Sequence, residues 1–149
     1  MEKKRPFVEL GRKIISGDHP PLPVGQTIGF RIVEIAPDEA AFEMEAVASR
    51  HANPMGTLHG GILCDLADGA MGMAWASELE EGESFTTLEL KINFLKPVWN
   101  GRLRAEARVL KRGKASDWRN ARFAMRKRDL VAHATSTLMT PRGEQAKGR

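Results

Sequence analysis

The chain has 149 residues, of which 42% are hydrophobic and 28% charged, with a formal net charge of +4 and one cysteine. That length suits a single domain with its own core, expected here over residues 1–149. One cysteine excludes an internal disulfide, and the four histidines show neither Cys-x-x-Cys nor His-Glu-x-x-His spacing, so no metal site is expected. No apolar run reaches the roughly 20 residues that span a bilayer, and the charged start lacks the apolar stretch of a signal peptide, so the expectation is a cytoplasmic protein.

In chain order, Phe7, Leu10, Gly11, Ile14 and Ile15 recur at helical spacing and predict a short amphipathic helix over residues 4–16. The proline-rich run 17–23 cannot continue it and reads as a linker, so helix and linker occupy 1–27 and the core about 28–140. Ile28 to Ile35 and Ala40 to Val47 read as a hairpin around Ala36 to Glu39, followed by a loop from Ser49 to Gly56.

The stretch Asn53 to Ala76 is the most apolar in the chain, with neither Lys nor Arg between Arg50 and Lys91. It is too long for one buried strand, and its Ala, Leu and Met content predicts a nearly engulfed helix from about Leu58 to Trp75. Two carboxylates inside it, Asp65 and Asp68, need a reason beyond solubility, because burying an ionised carboxylate costs several kcal/mol unless it is paired. Cys64 beside them reads as a small core residue.

An acidic connection, Glu78 to Ser84, leads to a strand, Thr86 to Leu95, in which Leu88, Leu90, Ile92 and Phe94 alternate with Glu89, Lys91 and Asn93. Leu103 to Leu110, Trp118 to Arg126 and Leu130 to Met139 are further strands, with a hairpin tip at Lys111 to Lys114. The polar tail 141–149 is expected to be flexible. One long helix among six strands predicts an α+β domain with an antiparallel sheet around the helix.

Within this frame the run Asn53-Pro-Met-Gly-Thr-Leu-His59-Gly60-Gly61, followed by Leu66-Ala67-Asp68, resembles the signature of the hotdog-fold acyl-CoA thioesterases of the phenylacetate-pathway (PaaI-like) type. Thr86 to Pro97 is similar to that family's long central strand. The resemblance implies a hotdog fold and hydrolysis of an acyl- or aryl-acyl-CoA thioester with no cofactor. It implies a homodimer, with a homotetramer of paired dimers as the further assembly.

Helix geometry tests the implied chemistry. At 1.5 Å per residue, Gly60 and Asp68 stand about 12 Å apart along one axis, so both cannot touch one carbonyl unless a second copy supplies one of them. The resemblance gives Gly60 the oxyanion, through an N–H at the positive end of the helix. It makes Asp68 the nucleophile or the general base, with a pKa that an apolar setting would raise. Asn53 places the carbonyl, carboxylate or water, His59 steadies the corner, and Thr87 orients the attacking group.

Thr86 competes with Thr87, since strand parity puts Thr86 on the face of Leu88 and Leu90. Asp65 is the rival of Asp68. Gly60 and Gly61 could equally serve close packing, and Asn53 and His59 could be loop and cap residues. Met71, Gly72 and Trp75 share the stripe of Asp68 and, with Gly61, are candidates to bind the acyl group, or else core. Lys111, Arg112 and Lys114 are candidates for the coenzyme A phosphates.

Nucleic acid and membrane are not expected partners, because no recognition motif accompanies the positive charge. A hydratase or dehydratase on acyl thioesters and a non-catalytic acyl-CoA-binding protein are the alternatives to hydrolysis.

Overall fold

The computed structural model describes residues 4–110, 117–125 and 129–148. Helix α1, Pro6–Ser16, opens with a proline, whose missing N–H is harmless in a first turn, and closes on Gly17 in the left-handed conformation. Gly11 lets it come against Ile32 and Ile35. Where the sequence reading starts a strand at Ile28, the chain instead makes a short helix, α2, Pro23–Ile28. Pro23 opens that helix and Gly29, with φ 103°, terminates it, so the strand β1 runs only from Phe30 to Ala36.

β1 pairs antiparallel with β2, Glu39–Ala46, and the segment read as a loop contains a single helical turn, α3, Ala48–His51. The long helix α4 spans Gly60–Ala76. Four strands follow it: β3 Thr86–Phe94, β4 Gly101–Val109, β5 Asp117–Met125 and β6 Asp129–Met139. They join β1 and β2 in one antiparallel six-stranded sheet of order β1-β2-β4-β5-β6-β3. After Pro141 the chain is held to the domain by Arg142 Nε, 2.6 Å from Glu83 Oε1, and ends in a short 3-10 helix, Gly143–Ala146.

The sheet curves around α4, as the hotdog resemblance implies. Ala40, Phe42, Met44 and Ala46 of β2, Leu103, Ala105 and Ala107 of β4, and Ala132, Ala134, Ser136 and Leu138 of β6 are buried at alternate positions and face the helix. Phe42, Leu66, Met71 and Leu103 at the centre are almost wholly excluded from solvent, each worth about 1.5–3 kcal/mol of transfer free energy. On the outer face of the sheet, Arg104 binds Glu34, Glu43 and Glu106 at 2.7–3.1 Å. Burial opposes its charge, but these hydrogen bonds outweigh burial and raise the guanidinium pKa.

Two expectations are corrected here, and both bear on the site. Helix α4 is engulfed only in its second half: Ala70 to Ala76 is continuously buried, whereas His59, Asp65 and Asp68 are exposed in the single chain. β3, an edge strand, does not alternate regularly. Its register against β6 shifts between Thr87 and Glu89, leaving Leu88 as an extra, unpaired residue. Thr87 therefore lies opposite the buried Leu138 and faces α4 together with Leu90, Ile92 and Phe94, while Leu88 is 57% exposed. The strand parity that favoured Thr86 fails at this bulge.

Candidate active site

The loop before α4 is closed by a bridge between Ala52 and Leu58. Inside it the Asn53 side chain is committed: Oδ1 accepts the N–H groups of Met55 and Thr57 at 3.0 and 3.2 Å, and Nδ2 donates to Thr57 Oγ1 at 2.8 Å. Asn53 thus builds the turn, and its second amide proton is what it can still offer a ligand.

His51, which the sequence reading passed over, is buried beneath this loop. Its Nδ1 accepts the Val47 N–H at 3.0 Å, so Nε2 carries the proton and donates to the Ile28 carbonyl at 2.8 Å. Its own carbonyl accepts the His59 N–H at 2.9 Å, tying α2, β2 and the entry to α4 together. A histidine two residues before Asn53 in an otherwise polar loop was the available signal.

His59 is the N-cap of α4, and its Nδ1 accepts the Gly61 N–H at 2.9 Å. The Ile62 N–H goes to the His59 carbonyl at 3.0 Å. Of the first N–H groups of the helix, that of Gly60 is left without an acceptor among the described residues. Gly61 contributes to the corner through this cap and not through a free donor.

Two turns further along α4, Thr87 Oγ1 donates to Asp68 Oδ1 at 2.8 Å. The bulge makes this contact. The apolar setting expected around Asp68 is not supplied by its own chain, in which the residue remains exposed despite this contact with β3. Asp65, also exposed, has its pKa raised, first by partial burial and then by the charge of Asp68. Burial, then Asp65 and Asp68, push the Cys64 thiol up as well, so Cys64 is held in its protonated, poorly nucleophilic form.

A family model described as the thioesterase superfamily matches residues 55–116, which include α4 and β3. The chain is 32% identical over 91 residues to 1,4-dihydroxy-2-naphthoyl-CoA hydrolase of Listeria monocytogenes, a match covering 61% of this chain and 73% of that one. It is 32% identical over 109 residues to human acyl-coenzyme A thioesterase 13, covering 72% and 71%. The chain belongs to the thioesterase superfamily. The fold agrees: a phenylacetic acid degradation-related protein of Ralstonia eutropha superposes with a TM-score of 0.76 at 30% identity, over 87% of this chain and 98% of that one.

The residues singled out from the sequence separate into two groups on the chain. Asn53, His59, Gly60 and Gly61 form the head of α4, and Asp68 with Thr87 forms a second cluster about 12 Å along the helix axis. Thr86 lies on the opposite side of β3 from Thr87 and Asp68.

The stripe of Met71, Gly72 and Trp75 is core. All three are buried, Trp75 Nε1 donates to Thr140 Oγ1 at 2.9 Å, and the space beside Gly72 is filled by the Phe85 ring, 2.9 Å from where a Cβ would stand. Lys111, Arg112 and Lys114 lie outside the described residues. Among the described residues no group of three or more His, Cys, Asp or Glu is placed to hold a metal ion, and no helix is long and apolar enough to cross a membrane.

Proposed function

We propose that this thioesterase-superfamily hydrolase cleaves the thioester of an acyl- or aryl-acyl-CoA to the free acid and coenzyme A, at a site completed by a second copy of the chain. The observation that carries the reading is the separation, on a single helix, of an uncommitted helix-terminal N–H at Gly60 from a threonine-oriented carboxylate at Asp68. A two-fold axis laying α4 against its copy brings Gly60 of one protomer to Asp68 of the other, and makes two equivalent sites. It also covers the exposed flank of α4, giving Asp68 the desolvated setting that hydrolysis uses. The free edge of β3 supports such pairing, as do Leu88, Phe94, Leu95 and Trp99 exposed on or near it. A tetramer would pair two such dimers.

The substrate carbonyl accepts the Gly60 N–H, where the helix dipole favours the developing oxyanion. Thr87 binds Oδ1 of Asp68 and leaves Oδ2 to act. Either Oδ2 removes a proton from water as the oxygen attacks the carbonyl carbon, or it attacks that carbon itself and water then hydrolyses the mixed anhydride. In both routes the C–S bond breaks, coenzyme A leaves as a thiolate that takes a proton, and water is the only co-substrate. Commitment of His59 Nδ1 to the cap supports hydrolysis over a His-driven dehydration.

The test is a panel of acyl- and aryl-CoA thioesters followed by thiol release, with sedimentation at assay concentration. Wild type should turn over at least one thioester as a dimer or larger, and Asp68→Asn should lose about a hundredfold or more in kcat with assembly intact. A fully active monomer, or near-normal kcat in Asp68→Asn, would overturn the reading.

A further inference from the structure

Phe94 ends the strand β3, and its place in the alternation reads as core. Yet it is 54% exposed. A Cβ built on Gly60 would stand 2.9 Å from Phe94 Cζ, 3.2 Å from Cε1 and 3.4 Å from Cε2, so the tip of the ring rests on the glycine that opens α4. In a helix the Cα–Cβ direction tilts toward the N-terminus, the side to which the first N–H groups also point. A carbonyl oxygen accepting the Gly60 N–H therefore sits beside the ring tip. The exposed part of the ring is then open to the group attached to that carbonyl.

β3 and α4 are tied at two heights on each protomer, Thr87 to Asp68 and Phe94 to Gly60. Any two-fold that carries Gly60 to Asp68 of the partner subunit also carries Phe94 toward that carboxylate. The ring then lies beside the oxyanion donor of one chain, on a strand whose other end orients that chain's own attacking group. An aromatic ring carries positive charge at its edge and negative charge on its faces, so its tip is compatible with an oxyanion and its faces suit a flat apolar group.

We infer that Phe94 is a specificity-determining residue, the wall on which the acyl group lies, and that it favours acyl groups with a flat ring next to the thioester carbonyl over short alkyl ones. This rests on the thioester hydrolase reading above and adds a residue to it. Gly60 has a second role in the same arrangement, because any side chain there would lift the ring from the helix.

The experiment compares kcat/KM for benzoyl-CoA and acetyl-CoA in wild type, Phe94→Leu and Phe94→Ala, with oligomer size measured for each. The expected result is a fall of about tenfold or more in the benzoyl-to-acetyl ratio for Phe94→Ala, the scale of a lost ring contact plus its buried area. Phe94→Leu, which keeps apolar volume at the interface, should lose part of that ratio, and it decides the matter if Phe94→Ala fails to fold or assemble. Affinity for phenacyl-CoA, a thioether that cannot be hydrolysed, should weaken in step.

An unchanged ratio, or equal losses on both thioesters, removes the inference while leaving the hydrolase reading intact. A wild type that turns over no thioester removes both. A normal Asp68→Asn beside a shifted Phe94 ratio removes the proposed mechanism and keeps the wall.

Discussion

Thr87→Val is the sharpest test of what the β3 bulge does. Valine matches threonine in shape, so the exchange removes the 2.8 Å hydrogen bond to Asp68 Oδ1 and little else. A hydrogen bond to a charged group is worth about 1.5–3 kcal/mol. Even the lower end of that range is a loss of about tenfold in kcat. KM should change little, since Thr87 acts through Asp68 and not on the substrate, and stability should stay within about 0.5 kcal/mol of wild type. Thr87→Ser keeps the hydroxyl and should recover most of the rate, and Thr86→Val, on the other side of the strand, should be silent. The assay is steady-state thiol release with the best thioester of the panel. Equal damage from Thr86→Val and Thr87→Val, or no loss in Thr87→Val, would refute the argument from register.

Gly72→Ala places a methyl 2.9 Å from the Phe85 ring, so a thermal melt should show destabilisation of about 1 kcal/mol or more, with activity on different thioesters falling in parallel and not selectively. Asp65→Asn should raise the melting temperature slightly at neutral pH. The native pKa of Asp65 is raised, so the native state binds its proton more tightly than the unfolded state; Asp65 favours folding in acid and loses that contribution as pH rises through the raised value. The advantage of the Asn variant should therefore shrink as melts are repeated toward pH 3.8, the ordinary value, and an advantage that grows in acid would contradict the assignment. Asp65→Asn should also keep most of kcat, which separates it from Asp68→Asn.

The parts of the fold that rest on periodicity were legible. The apolar stretch up to Trp75 could only be a helix, and the runs read as strands from Ala40, Leu103 and Leu130 coincide with β2, β4 and β6. What escaped depends on single backbone events. A bulge has no periodic signature, so Thr87 and Thr86 exchanged faces and Leu88 passed for a core residue. Pro23, read as the end of a linker, instead starts α2, and Gly29, read inside a strand, stops it.

Side-chain commitments escaped for a related reason. Sequence places Asn53 near the corner, but only the local geometry shows its side chain building the turn through Met55 and Thr57, or His51 held by Val47 and Ile28. Met71, Gly72 and Trp75 follow Asp68 at helical spacing, but that Phe85 folds back to fill the gap at Gly72 depends on the path of the chain after the helix.

The strand order determines when the site can come into being. β3 is made immediately after α4, yet its sole partner in the sheet among the described residues is β6, and Thr87 is positioned opposite Leu138, some fifty residues later in the chain. Until β4, β5 and β6 have docked, β3 has no ladder to register against, its bulge has no meaning, and the hydroxyl has no fixed side. Contacts of such sequence separation close late because the loop entropy must be overcome first. In a chain growing from its N-terminus, the core of β1, β2 and α4 can collapse early, whereas the carboxylate receives its threonine only after the last strand is in place. A folding intermediate with a native helix would thus be catalytically silent, and recovery of turnover would lag recovery of helical signal during refolding.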